Sequence, residues 1–198
     1  MEFESLYNNI RQYTSFPDEE YDQLIRLFKQ KELKKNEHLL KSGDVCKHGI
    51  FVLDGCLSYF ETGDEGSDKI IDLGTSGWWM ADTESFFHGT ISPFNIKAIS
   101  ASSVLTTDRD SFLHAIKHFP WFLYYHYFAL LEYRRRTDLL LSNALHNQAE
   151  QKYNAMVLQR PEIFQLAPLH DIASFLGMTP QSLSRLRNAL AHKKAKQY

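Results

Sequence analysis

The sequence predicts an α+β protein in which an antiparallel β-roll of jelly-roll type, with flanking helices, precedes a long helix and a helix-turn-helix domain. Three observations indicate this order. Short strand-like runs broken by turn residues extend from about residue 31 to 108. A long, largely apolar helical segment follows them. Two short amphipathic helices joined by a tight turn then lie near the C-terminus.

The first part of the chain, residues 1–119, is predicted to be one domain built around the roll. Residues 5–30 follow helical spacing, and Pro17 marks a second helix start within them. Turn pairs such as Gly43-Asp44 and Asp54-Gly55 then separate the apolar runs. Strands of this length between such turns are typical of a roll or jelly roll. The chain has 198 residues and a hydrophobic content of 43%, enough for a core.

Residues 120–145 are predicted to form one helix that is apolar on nearly every side in its first half. A helix of this kind must be covered on two faces. One face can lie on the roll, and the simplest cover for the other is the same helix from a second copy in a two-fold dimer. The alternative is a helix buried inside a single domain. We predict a dimerisation helix.

Residues 146–198 are predicted to form a separate C-terminal domain that contains the two amphipathic helices, His170–Leu190. Gly177 ends the first helix, at a position where a left-handed conformation is favourable for glycine. Thr179 is a good N-cap for the second helix, and Pro180 fits its first position. The pattern therefore predicts helix, tight turn and helix, and its structural alternative is an ordinary helical hairpin.

The second of these helices combines a buried face with a polar face that carries no acidic residue. Leu183, Leu186 and Leu190 recur at helical spacing and predict the buried face. A helix that reads the major groove of DNA needs Arg or Gln for base edges and hydroxyl or cationic groups for phosphates. We expect Arg185 and Gln181 at base edges. The residues expected to contact phosphates or to position the helix are Thr179, Ser182, Ser184, Arg187 and Lys193.

The charge distribution supports double-stranded DNA as a partner. The net charge of the chain is −2, but residues 146–198 hold seven Lys and Arg against three Asp and Glu. Residues 1–145 hold 15 against 21 and are acidic. Phosphate contacts supply most non-specific affinity for DNA, so a basic C-terminal domain on an acidic body fits a DNA-binding module.

This order of elements resembles the Crp/Fnr family of bacterial transcription regulators over essentially the whole chain. Gly43-Asp44 followed by Phe51–Gly55 is similar to the early roll of cyclic-nucleotide-binding domains, and Gly77–Asp110 lines up with the family's phosphate-binding cassette. His170–Leu190 is similar to its recognition unit, and the TPxxLSR form at 179–185 resembles the Bacteroidetes-type branch. The resemblance implies a homodimeric, effector-controlled regulator with a cyclic-nucleotide-binding-like sensor domain and RNA polymerase as a further candidate partner.

The cassette departs from the family members that bind cyclic AMP. These carry a Gly-Glu pair and, ten residues later, an Arg that pairs with the cyclic phosphate. Here the pair is Ala81-Asp82, the Arg position holds Ser92, and no Lys or Arg lies between Lys69 and Lys97. The missing charge-assisted contact is worth about 1.5–3 kcal/mol. We therefore do not expect cyclic AMP to bind, and we expect no cofactor.

The cassette is instead rich in aromatic residues, which leaves two interpretations open. It binds an apolar or aromatic effector anchored by polar groups, or its aromatic side chains fill a vestigial pocket. The residues of this candidate effector pocket are Trp79, Met80, Ala81, Asp82, Thr83 and Ser92. The family resemblance implies that an effector signal passes from the cassette through Tyr124–Leu131 to the DNA-binding helices.

Other classes of function are not expected. The nine His and two Cys never fall at Cys-x-x-Cys or His-x-His spacing, which argues against a metal site and against an enzyme of cupin type. The longest apolar run, residues 121–131, is too short to cross a bilayer, and the N-terminus is unlike a signal peptide, so we expect a cytoplasmic protein without membrane contact.

The main alternative is a sensor or adaptor that has lost DNA binding. The sequence ends at Tyr198, which leaves little room for the β-hairpin wing that often follows a helix-turn-helix. We expect weaker DNA affinity without a wing.

Overall fold

The computed structural model describes residues 3–63, 67–145 and 149–195, with side chains described except at 136, 139–145, 149, 159 and 191–195. Within these residues the chain forms nine helices and eight strands. The helices are α1 (Glu4–Arg11), α2 (Asp18–Ile25), α3 (Thr83–His88), α4 (Arg109–His118), α5 (Pro120–Leu145), α6 (Ala149–Gln159), α7 (Ile163–Leu166), α8 (Leu169–Phe175) and α9 (Pro180–Ala195). The strands are β1 (Lys29–Leu33), β2 (His38–Leu40), β3 (His48–Asp54), β4 (Leu57–Thr62), β5 (Asp68–Gly74), β6 (Trp79–Met80), β7 (Asn95–Ala98) and β8 (Ser102–Asp108).

The strands form two four-stranded sheets in which every pair is antiparallel. One sheet has the order β1-β8-β3-β6 and the other the order β2-β7-β4-β5. At the centre of the first sheet Phe51 lies opposite Leu105, and both side chains are fully buried. Helices flank this sheet core, which confirms the predicted class of an antiparallel roll with flanking helices.

The turn between β3 and β4 requires a glycine. Gly55 has a φ of +88°, in the region that side chains rarely adopt. A Cβ atom added there would lie 2.6 Å from the carbonyl oxygen of Ala101. The close approach lets the Cys56 N–H donate to the hydroxyl groups of Ser100 and Ser102, at 3.0 and 3.1 Å.

The N-terminal region has the second helix expected after Pro17, but its end differs from the helical spacing expected up to residue 30. α1 ends at Arg11, and α2 begins at Asp18 directly after Pro17. From Lys29 the chain pairs with β8 as an edge strand, with Lys29 opposite Thr106. Pairing with a strand far along the sequence therefore overrides the local helical pattern.

Helix α5 has one face on the roll and one face in solvent. Phe122 and Tyr125 are fully buried in the first core, which lies between the sheets and the helices packed on them. The other face carries large apolar side chains with relative exposures between 45% and 64%, namely Leu123, Tyr124, Tyr127, Leu130 and Leu131. The helix has the predicted bounds, and its uncovered face is the one that the dimer prediction needs.

A second core joins the roll to the C-terminal helices. The roll contributes the buried side chains of Cys56, Phe60, Ile70, Leu73 and Ile99. The helices contribute Met156, Ile163, Ile172, Ala173, Leu176 and Leu183. The predicted domain limits of 1–119, 120–145 and 146–198 stay predictions, and this core crosses the limit between the first and the last.

Helix α8 also covers the exposed edge of β5, the last strand of its sheet. The Ser174 hydroxyl accepts from the Ile70 N–H and donates to the Asp68 carbonyl, both at 3.0 Å. An uncovered edge strand presents unpaired backbone groups to water and to other strands. The covering helix satisfies two of these groups.

We predict that Tyr125→Phe destabilises the fold by about 1–3 kcal/mol, because removing the hydroxyl leaves buried partners unpaired. The Tyr125 hydroxyl accepts from Trp79 Nε1 at 2.8 Å and donates to Asn9 Oδ1 at 2.6 Å. Urea unfolding measures the change. Tyr124→Phe, at a side chain that is 54% exposed, is the matched control and is expected to leave stability unchanged. Equal effects of the two variants would contradict the assigned network.

Candidate nucleic-acid interface and effector pocket

Local capping fixes the geometry between α8 and α9. Gly177 has a φ of +69°, and the Met178 N–H donates to the Ala173 carbonyl at 2.9 Å while the Gly177 N–H donates to Ser174 at 3.0 Å. This pattern is a Schellman motif. The Thr179 hydroxyl then accepts from the Ser182 N–H at 3.2 Å and caps the start of α9. The sequence predicted both roles, Gly177 at the end of α8 and Thr179 as the N-cap of α9.

The expected DNA-contacting side chains of α9 lie on its outer surface. Leu183 is fully buried, and the opposite face is open to solvent. Of the predicted residues, Thr179, Gln181, Ser184, Arg185 and Arg187 are exposed and Ser182 is half-buried. The side chain of Lys193 lies outside the described residues. Six of the seven predicted residues therefore lie at the start of α9 or along it, five of them exposed and one half-buried.

The acidic residue closest in sequence to this surface lies in the preceding helix, α8. Asp171 in α8 is buried, and burial is the main reason that its pKa is raised, while the neighbouring His170 opposes the shift. His170 Nε2 lies 3.3 Å from the Asp171 carboxylate. Since α9 itself contains no Asp or Glu, its polar face presents donors and positive charge without a competing carboxylate.

Two polar residues of the candidate effector pocket already have partners within the protein. The Asp82 side chain accepts from the Ser85 N–H at 3.3 Å and caps α3. The Ser92 hydroxyl accepts from the Phe94 N–H at 3.1 Å, and the Ser92 backbone pairs with the Gly43-Asp44 turn. These contacts hold the cassette in shape without a ligand.

The other predicted pocket residues differ in their burial. Met80 is buried in the first core, Ala81 is half-buried and Thr83 is exposed. The Trp79 ring packs among core aromatic rings, with its centroid 5.2 Å from that of Phe51. The packing of Trp79 agrees with the interpretation in which aromatic side chains fill the region, and this interpretation stays a prediction for the pocket as a whole.

Tyr59 is a candidate pocket residue that sequence reasoning missed. Its ring centroid lies 4.9 Å from that of Phe94, within the cassette segment. Burial raises the pKa of the Tyr59 hydroxyl, and the charge of Asp82 raises it further. The phenol is therefore neutral and can donate a hydrogen bond near Asp82. Its strand position alone gives no signal of this, because the register of β4 decides which way the ring points.

A second group missed from the sequence lies where the cassette meets the C-terminal helices. Arg160, which follows α6, is 7% exposed, and its Nη1 lies 3.2 Å from the Asp72 carboxylate. Its guanidinium carbon lies 4.0 Å from the centre of the Trp78 ring. Trp78 in turn donates from Nε1 to Asp72 at 2.9 Å. A residue of the cassette thus contacts the helical unit that carries α9.

The described part of the chain lacks two further classes of site. No group of three or more His, Cys, Asp or Glu there has the arrangement to hold a metal ion. No helix there is both long enough and apolar enough to span a bilayer.

Comparison with known families supports the resemblance of the roll to cyclic nucleotide-binding domains. Residues 30–119 match the family model described as Cyclic nucleotide-binding domain, which covers the chain from β1 to the end of α4. The β-roll has the cyclic nucleotide-binding domain fold. A comparison with curated protein sequences finds no match.

Solved structures show that the likeness in fold extends beyond the roll. The Catabolite Activator Protein of Thermus thermophilus is 18% identical, with a TM-score of 0.57 over 94% of this chain and 88% of its own. A CooA mutant from Carboxydothermus hydrogenoformans is 16% identical, with a TM-score of 0.68 over 86% and 79%. The c-di-GMP responsive global regulator CLP of Xanthomonas campestris is 11% identical, with a TM-score of 0.69 over 90% and 93%. The chain thus shares the fold of these proteins along most of its length.

We predict that His126 makes the stability of the fold depend on pH. Burial lowers the pKa of His126 to about 3, and its Nε2 has no hydrogen-bond partner among the described residues. In an unfolded chain the pKa of a histidine is about 6.5, so protonation favours unfolding and stability is lost as the pH falls below that value. Relative to His126→Phe, the wild type is expected to lose about 2 kcal/mol between about pH 7.5 and about pH 5.

Urea unfolding across this pH range measures the difference. His88→Gln, at a side chain that is 66% exposed, is the control and is expected to follow the wild type. Parallel curves for wild type and His126→Phe would show that His126 does not stay neutral in the folded protein.

Proposed function

We propose that the protein is a sequence-specific DNA-binding transcription regulator that acts as a homodimer. The observation that carries the proposal is the α8–α9 pair, a helix-turn-helix whose second helix exposes Gln181, Ser184 and Arg185 with no acidic residue beside them. Gln and Arg on such a helix can form paired hydrogen bonds with base edges in the major groove. The fold shared with regulators supports the same conclusion.

The exposed apolar face of α5 supports the homodimer. Leu123, Tyr127 and Leu130 recur at helical spacing, and each is at least half exposed. A contiguous apolar stripe of this kind is typical of an association surface. Pairing α5 with its copy about a two-fold axis places two α9 helices for successive major grooves, about 34 Å apart. The operator is then a pseudo-palindrome.

We propose that control by an effector, where it occurs, does not use cyclic AMP. The segment between Lys69 and Lys97 offers no cation to a phosphate, and Asp82 and Ser92 are engaged within the protein. The proposal has two alternatives. Either an apolar or aromatic effector binds near Tyr59 and controls DNA binding, or the protein binds DNA constitutively. We propose RNA polymerase as a further candidate partner.

The second candidate function is a sensor or adaptor without DNA binding, and selection from a random duplex pool at one stated salt concentration separates the two. The wild type is expected to enrich a two-fold-symmetric motif. Arg185→Ala is expected to lose about 1–3 kcal/mol of discrimination at one base pair of each half-site, because a paired contact to a base edge is removed.

Arg134→Ala is the matched control, since this arginine lies on α5 with its side chain 76% exposed and pairs with Asp138. It is expected to enrich the wild-type motif. If the wild type enriches no motif, with or without candidate effectors, the sensor or adaptor function replaces the regulator.

We predict that Leu130→Glu converts the dimer to a monomer. The substitution places a carboxylate and its two-fold copy in an apolar interface. An unpaired buried charge there destabilises the dimer by about 3–5 kcal/mol. This weakens dimerisation by about two to three orders of magnitude. Sedimentation equilibrium measures the dissociation constant.

Leu158→Glu on α6 is the control, because its side chain is 83% exposed and does not belong to the apolar face of α5. It is expected to leave the dimer intact. A monomeric wild type, or equal weakening by both variants, would refute pairing through α5.

A further inference from the structure

The roll carries a preformed acceptor for one cation of the C-terminal helices. Within the roll, the Asp72 carboxylate accepts from the Leu73 N–H at 2.8 Å and from Trp78 Nε1 at 2.9 Å. These two donors fix the carboxylate whether or not the helices are present. The remaining contact is the guanidinium of Arg160, which donates to Asp72 Oδ1 at 3.2 Å across 88 positions of sequence.

Arg160 depends on this acceptor. Its Nε and Nη2 groups are buried without a hydrogen-bond partner among the described residues. The side chains of Arg160 and Asp72 are only 8% and 11% exposed, so water cannot readily replace Asp72 as the partner. A buried charge that loses its partner is strongly unfavourable. The pair is therefore stable only when the helical unit sits in one orientation on the roll.

The apolar contacts of the second core lack this selectivity. Burial of Ile70, Leu73, Ile163 and Ile172 is non-directional and tolerates sliding of one surface over the other. The same interface also has directional contacts. The Thr75 hydroxyl donates to the Glu162 carboxylate at 2.8 Å, and the Ser174 hydroxyl bonds to the edge of β5. Among the described residues of this interface, only the contact of Arg160 with Asp72 pairs two buried charges.

We propose that Arg160 is a positioning residue that fixes the orientation of the α8–α9 unit on the roll through Asp72 and Trp78. The inference rests on the proposed function and extends it, since a dimeric reader of two half-sites needs both units at a set spacing. Trp78 belongs to the cassette and also lies 6.2 Å, between ring centroids, from Tyr133 of α5. The contacts of Arg160 with Asp72 and Trp78, which we call the joint, thus connect the cassette, helix α5 and the α8–α9 unit within one protomer.

Amide hydrogen exchange tests the joint directly in the full-length protein. The Ile70 N–H is held by Ser174 of the helical unit, so its exchange rate reports whether that unit is seated. Arg160→Gln and Asp72→Asn are each expected to speed Ile70 exchange by about tenfold. The double variant is expected to exchange no faster than the faster single variant, because each residue acts through the other. Leu105 in the first core is expected to keep its rate.

The controls separate orientation from folding. Arg134→Gln removes an arginine whose ion pair is exposed, and it is expected to leave Ile70 exchange at the wild-type rate. If Arg160→Gln also speeds exchange of Leu105, the milder Arg160→Lys takes its place. It keeps the charge but loses the planar contact with Trp78, and it is expected to speed Ile70 exchange alone. If Ile70 exchanges at the wild-type rate in both Arg160→Gln and Arg160→Lys, the proposal is overturned.

DNA binding gives a second readout that a purely structural role would not move. The probes are the motif enriched by the wild type, the same motif with two base pairs inserted between its half-sites, and an isolated half-site. The wild type is expected to bind the altered spacing more weakly, and Arg160→Gln to lose most of that discrimination while keeping its affinity for the isolated half-site. Retained discrimination together with faster Ile70 exchange would overturn the positioning role. A wild type that binds no motif refutes the proposed function, and hydrogen exchange alone then decides the role of Arg160.

Discussion

Strand β5 lies at the edge of its sheet, and the C-terminal helices cover it. Ile70 and Leu73 are buried in the core that these helices share with the roll, and the Ile70 N–H donates to the Ser174 hydroxyl of α8. Helix α8 covers both the apolar face and the backbone edge. The α8–α9 unit in turn obtains part of its own core from the roll, so each part supplies burial that the other needs.

This shared core explains why a buried charge pair is tolerated at its margin. Arg160 and Asp72 are removed from water, which disfavours both ions, and their attraction offsets this only in good geometry. The Trp78 ring under the guanidinium adds a cation–π contact in the same place. The net contribution of such a pair to stability is small, whereas the loss of either partner is large. The pair therefore selects among orientations that the apolar surface alone would allow.

The sequence predicted best those features that depend on neighbouring residues. The turn between α8 and α9 follows from Gly177 and Thr179, whose preferences are local, and the bounds of α5 follow from its unbroken helical pattern. Features set by distant pairing were missed. Lys29 pairs with a strand more than seventy positions away, and the role of Arg160 requires an acid 88 positions away, so no local pattern indicates either.

The candidate effector pocket shows the same limit in its aromatic residues. Trp78 and Trp79 look equivalent in sequence, but their side chains have different partners. Trp79 donates to Tyr125 and fills the first core, whereas Trp78 lies under Arg160 at the joint. Cyclic AMP binders of the resembled family carry a cassette Arg for the ligand's phosphate. Here the guanidinium nearest Trp78 comes from the C-terminal helices and is paired with Asp72. In this chain the charge pair beside the cassette therefore holds the C-terminal helices on the roll.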